Sequence, residues 1–219
     1  MSYGLRPSLY HVWLKDDVIL LDLYHDRYFA LPQEARPLFK RVIEEGNEDE
    51  DELAVLSRAL GGDALCWIDH EAPDHRAGHL QPVRCLGMGT QSVAPGAALR
   101  AIGYRCQSGL WLRFSSLEEI IARLQKRKAG VIAEVGKDDA TGSIAQAFQK
   151  IAPLFPMDDR CLSTSISLIM ALFDRHLPAT FVIGVRAGPF AAHCWVQQRD
   201  LLINDDLEKV RTFSPILVI

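Results

Sequence analysis

The chain has 219 residues, of which 48% are hydrophobic and 24% charged, and a formal net charge of −4. That is the make-up of an ordinary soluble globular protein with room for one large domain or two small ones. Its slight acidity excludes a general electrostatic footprint for nucleic acid, and its apolar runs are too short to cross a bilayer, so neither is expected as a partner. The start MSYGLRPSLYHVW has no signal-peptide core, which makes the cytoplasm the expected compartment. Five scattered cysteines without a CxxC pair argue against a disulfide framework or a cysteine zinc site.

Three short β-rich segments come first: LYHVWL (9–14), DVILLDL in the region 16–22, and RYFAL (27–31). Polar residues at Lys15-Asp16-Asp17 and His25-Asp26 are the expected hairpin turns, so the segments read as an antiparallel meander. From Pro32 the positions Ala35, Leu38, Phe39, Val42 and Ile43 recur at helical spacing until Gly46. Pro37 falls in the first turn, where a missing N–H costs least. Asn47 is the expected cap of a second helix over 48–60, stopped by Gly61-Gly62. The acidic run 44–52 suits the positive end of that helix dipole; a docking patch for a basic partner is the alternative.

Residues 68–95 are rich in Gly, Pro and His and read as a linker. His70, His75 and His79 lie close together there, but without carboxylates or cysteines on a rigid element no metal site is expected. Helical patterns return in AALRAIGYRCQSGLWLRF, in SSLEEIIARLQKRKAG with a capping box at its start, and in ATGSIAQAFQKIAPLF. Next comes the helix DRCLSTSISLIMALFDR. Two strands follow, ATFVIGVR and AAHCWVQQ, joined by AGPF, and then LLIND and FSPILVI.

This last third carries the chemistry. With Asp158 as cap, Cys161 falls in the first turn of its helix, where free N–H groups and the dipole favour the nucleophilic thiolate. Leu162, Ile166, Ile169 and Phe173 form the buried stripe, and Cys161, Ser165 and Leu168 lie on a shoulder where a pocket forms. His193 shares a strand face with Trp195 and Gln197, whereas Cys194 faces away into packed core. Asp205 suits the role of orienting the imidazole, with Asn204 and Asp206 as rivals that alternation does not eliminate. Each residue alone has a plain structural reading: a buried thiol, a strand histidine, an Asn-Asp-Asp turn. Together, a thiol at a helix start with a base and an acid on successive strands is the arrangement of papain-like and transglutaminase-like thiol enzymes.

The run CLSTSISLIMALFDRHLPATFVIGVRAGPFAAHCWVQQRDLLIND (161–205) resembles the transglutaminase-like domain of lasso-peptide B proteins, the leader peptidases of lasso-peptide maturation. The resemblance rests on Cys-Leu at a helix start, LPATFVIGVR, PF-x-AH-x-WV and a closing Asn-Asp. WLKDDVILLDLYHDRYFALPQEARPLF (13–39) is similar to PqqD-like peptide-recognition domains. Together they imply an α+β chain: a winged-helix-like PqqD-type domain of three antiparallel strands plus helices over 1–67, a linker over 68–95, and a transglutaminase/papain-like cysteine peptidase domain over 96–219. They make Cys161 the nucleophile, His193 the base and Asp205 the acid, the family placing the acid directly after asparagine.

The resemblance also implies that a precursor leader adds as a strand beside Arg27, Tyr28 and Phe29. An ATP-dependent lasso cyclase then takes up the freed core. No phosphate loop is present, and no cofactor is expected for this chain itself. Two alternatives use the same residues or none of them: acyl transfer of the transglutaminase kind, and a non-catalytic adaptor that presents precursor to a cyclase.

Overall fold

The structure is a computed structural model that describes residues 2–47, 49–68, 79–87, 93–131, 138–155 and 160–219, with backbone only at Ser2, Ile68, Asp138, Asp139 and Arg160. It forms two compact units, Met1–Ala77 and Gly78–Ile219. Both mix helices with sheets, so the chain is α+β.

In the first unit, strand β1 (Ser2–Leu5) precedes the meander β2 (Leu9–Leu14), β3 (Asp17–Asp22) and β4 (Arg27–Ala30). The meander is antiparallel in the order β2-β3-β4. Lys15 and Asp26 hold positive φ at its two turns, a conformation that short polar residues such as aspartate tolerate best. The central strand β3 buries Val18, Leu20 and Leu21.

Helix α1 (Arg36–Phe39) is extended by a tight turn before it and a wide coil after it; of the apolar stripe read from Ala35 to Ile43, Ala35, Phe39 and Val42 are buried and Leu38 and Ile43 half-buried. Helix α2 (Glu50–Leu60) brings Leu53, Leu56 and Leu60 onto Leu20, Leu31 and Phe39. Its cap is Asp49, whose carboxylate accepts the N–H groups of Asp51 at 3.1 Å and Glu52 at 3.0 Å. The expected cap, Asn47, lies two residues too early and donates its amide to Glu52 instead. Gly61, at φ 103°, closes the helix in the left-handed conformation that glycine adopts most readily. Strand β5 (Leu65–Ile68) pairs antiparallel with β1, a second small sheet that the sequence did not announce.

The second unit starts in the stretch expected to be linker. Residues 69–78 and 88–92 of that stretch, with His70 and His75, lie outside the described residues. Between them, strand β6 (Arg84–Cys85) is built into a sheet. It pairs in parallel with β9 (Leu201–Leu202), and the Arg84 guanidinium holds Asp200, 116 residues further on, at 2.8 Å. A two-residue strand with so distant a partner leaves no local pattern.

Helices α3 (Pro95–Phe114), α4 (Leu117–Ala129), α5 (Asp138–Ile151) and α6 (Arg160–Phe173) come next. They are followed by β7 (Thr180–Arg186), β8 (Ala191–Gln198), β9, the short α7 (Leu207–Val210) and β10 (Ser214–Val218). The sheet order is β10-β7-β8-β9-β6. Helix α6 lies on β7 and β8, with α3, α4 and α5 packed against it. From Ser165 to Phe173 every residue of α6 is buried, not one stripe alone. A helix buried all round is a central helix, and only its first turn remains accessible. Ser165 and Leu168, expected to line a pocket, are both wholly buried. Among the described residues no helix is long and apolar enough to cross a membrane.

Candidate active site

Cys161 lies in the first turn of α6, half-buried, at the open end of this central helix. The cap expected at Asp158 lies outside the described residues. The sulfur interacts with the His193 and Cys194 side chains and with the Cys194 N–H. Strand alternation correctly buries Cys194, but its thiol is not remote from the site: it meets the Cys161 sulfur.

His193 is 7% exposed. Its Nε2 lies 2.5 Å from Asp205 Oδ2, which leaves Nδ1 for the sulfur. The imidazole packs against the rings of Trp195 and Phe213, with centroids at 6.5 and 5.3 Å. The Trp195 indole donates to Gln197 Oε1 at 2.8 Å. Its ring lies across Gly184, the cross-strand partner of His193. A Cβ on Gly184 would come within 2.7 Å of the indole, so only glycine allows this approach.

Asp205 follows the end of β9. Its second oxygen, Oδ1, accepts the Asp206 N–H at 2.8 Å and faces Lys209 Nζ at 3.4 Å. The two rivals for its role are otherwise engaged. Asp206 caps α7 by accepting the Lys209 N–H, and Asn204 Oδ1 accepts the Val196 N–H.

These contacts set the charges. The Cys194 thiol, donating to the Cys161 sulfur, is the largest influence on it. Burial opposes, but hydrogen bonds from His193 and the Cys194 N–H carry the Cys161 thiol down to about 4. Burial works to discharge His193 as well. Hydrogen bonds to Asp205 and Cys161, with the Asp205 charge, overcome it and lift the imidazole to about 9. Burial likewise raises the Asp205 carboxyl, and the bonds from His193 and the Asp206 N–H outweigh it, holding it below the ordinary carboxylate range. Burial, reinforced by Cys161, pushes the Cys194 thiol well above its usual value, so this sulfur stays protonated and donates. Near neutral pH the pair is therefore a thiolate beside an imidazolium.

Arg27, Tyr28 and Phe29 lie on β4 in the other unit. The Arg27 guanidinium stands 5.2 Å over the Phe29 ring, and Phe29 packs against that unit's core. His79 stands away from any metal cluster: among the described residues no group of three or more possible ligands occurs.

Residues 90–218, more than half of the chain, match the family described as the transglutaminase-like superfamily. The chain belongs to it. Members are typically cysteine-based enzymes, with protease- or acyltransferase-like activity. Residues 1–89 fall outside that match. No curated protein and no solved structure matches the chain.

Proposed function

We propose that this transglutaminase-like protein is a cysteine peptidase of lasso-peptide maturation, which binds the leader of a precursor and cuts the leader–core bond. The observation that carries the reading is the Cys161 sulfur in contact with a buried imidazole that Asp205 holds. In the catalytic cycle the Cys161 thiolate attacks the scissile carbonyl and His193 protonates the leaving amine. Water, deprotonated by the same imidazole, then hydrolyses the thioester. Asp205 fixes the tautomer and stabilises the imidazolium. The Cys161 N–H at the helix start is a donor for the oxyanion.

The leader would be taken up over 1–67 as a further strand on β4, the edge of the three-stranded meander. Main-chain hydrogen bonds give affinity in that mode, and pockets for alternate side chains beside Arg27, Tyr28 and Phe29 give selectivity. Tethering the leader raises the local concentration of the junction at Cys161. The new α-amine of the core is the group that an ATP-dependent cyclase would join to a carboxylate.

The test is to mix the protein with the precursor encoded beside it and weigh the products. Free leader and a core with a new amine are expected, and Cys161→Ala should bind the leader yet release none. A precursor joined to an added amine would make the protein an acyl transferase. Uncut precursor held tightly by both forms would make it an adaptor.

A further inference from the structure

We infer that Ser165 and Asn204 are positioning residues that lock the three elements carrying Cys161, His193 and Asp205 into one geometry. The inference rests on the reading of Cys161 as nucleophile.

Each reactive residue has a neighbour in one buried polar bridge. Ser165 is one helical turn beyond Cys161 on α6, so it lies on the same side of the helix. Its hydroxyl is wholly buried and donates to the Cys194 carbonyl, next to His193, at 3.1 Å. The same oxygen accepts from Asn204 Nδ2, next to Asp205, at 3.0 Å. Asn204 Oδ1 takes the Val196 N–H at 2.8 Å.

The last bond explains how Asp205 reaches the imidazole. Strand β9 still pairs with β8 at Ile203, whose N–H goes to the Val196 carbonyl at 3.0 Å. At the next step the asparagine side chain takes the N–H that a continued strand would have paired. The backbone is released to turn, and Asp205 swings onto His193. The hydroxyl also contacts the Cys194 thiol, which in turn donates to Cys161. Every polar group of the bridge has a partner, the condition under which a buried network rigidifies a site. Small displacements at such a site cost rate steeply.

The experiment compares two single-atom deletions on α6. Ser165→Ala breaks the bridge. Ser167→Ala removes a buried hydroxyl that donates only to its own helix, to the Ser163 and Thr164 carbonyls. Both are assayed by thermal melt, by precursor cleavage, and by the pH dependence of iodoacetamide alkylation at Cys161, resolved from the other cysteines by peptide mass spectrometry. For Ser165→Ala we expect kcat to fall about 10–100-fold with KM little changed. Alkylation at pH 6 should slow roughly tenfold as the thiol regains its proton. Ser167→Ala should alkylate and cleave as the unaltered protein does, whatever its melting point.

Equal profiles for Ser165→Ala and the unaltered protein would overturn the positioning role. An ordinary thiol profile in the unaltered protein would instead overturn Cys161 as nucleophile. If Ser165→Ala does not fold, Asn204→Ala, at a half-buried position, is judged by the same two outcomes.

Discussion

In the N-terminal unit His25 Nδ1 lies 2.7 Å from Asp22 Oδ2; in the C-terminal unit His193 Nε2 lies 2.5 Å from Asp205 Oδ2. The pairs look alike until their surroundings are set side by side. Asp22 is also bound by Arg6 and lies 3.6 Å from Arg27, and it accepts the His25 backbone N–H at 3.2 Å. Burial raises its carboxyl, but the two His25 bonds and the Arg6 charge outweigh that and hold it below the usual range. His25 itself sits in the β3–β4 turn with 40% of its side chain exposed. That cluster is a staple closing a hairpin. His193, by contrast, is shut between aromatic rings and turns its other nitrogen to a thiol. The reactivity proposed for the second pair rests on what its second nitrogen meets and how dry the ring is kept, not on the pair itself.

The sharpest way to break this contrast is to delete each imidazole. His193→Ala should lower turnover about 10³–10⁴-fold, while His25→Ala should leave it within about twofold, both read by precursor cleavage. The aspartates come next. Asp205→Asn should cost about 10²–10³-fold in kcat by misorienting the ring. Asp22→Asn should spare the rate and take about 1–3 kcal/mol from the stability of the first unit, seen in a denaturant melt.

The pH profile is a milder test. Activity falls as pH drops through about 4, where the Cys161 thiolate takes a proton. It falls again as pH rises through about 9, where the His193 imidazolium loses the proton needed by the leaving amine. A broad plateau between these limbs is expected in kcat/KM, and Asp205→Asn should pull the upper limb down. Gly184→Ala carries the smallest effect. The added methyl forces the Trp195 ring aside and should destabilise by about 1–3 kcal/mol in a thermal melt.

That Cys161, His193 and Asp205 come together was legible because a thiol at a helix start with partners on the next strands is one pattern in the chain. The β2–β4 meander was legible because alternation and turn residues lie side by side in the chain. What escaped was non-local. Strands β1 and β5 have four residues each and more than fifty residues between them. Strand β6 looked like linker because Gly, Pro and His surround it. The burial of α6 on every side beyond its first turn depends on α3, α4 and α5 closing over it, so one apolar stripe was visible where all of Ser165 to Phe173 was core. Ser165 was placed correctly beside Cys161, but a hydroxyl that holds two other elements cannot be told from one that lines a cleft until those elements are in place. Asn204 entered as a competitor of Asp205, but its side chain is spent on the Val196 N–H and the Ser165 hydroxyl.

The Trp195 ring, wholly sealed and parallel to within 27° of the imidazole, has an optical consequence. A positive charge near an aromatic face perturbs it, and an excited indole is dimmed by such a neighbour. Under the proposed mechanism, light emitted from this residue should brighten whenever His193 gives up its proton to a departing amine. Each round of bond cleavage would then write a transient flash into the protein's own fluorescence, readable in stopped flow with no dye attached.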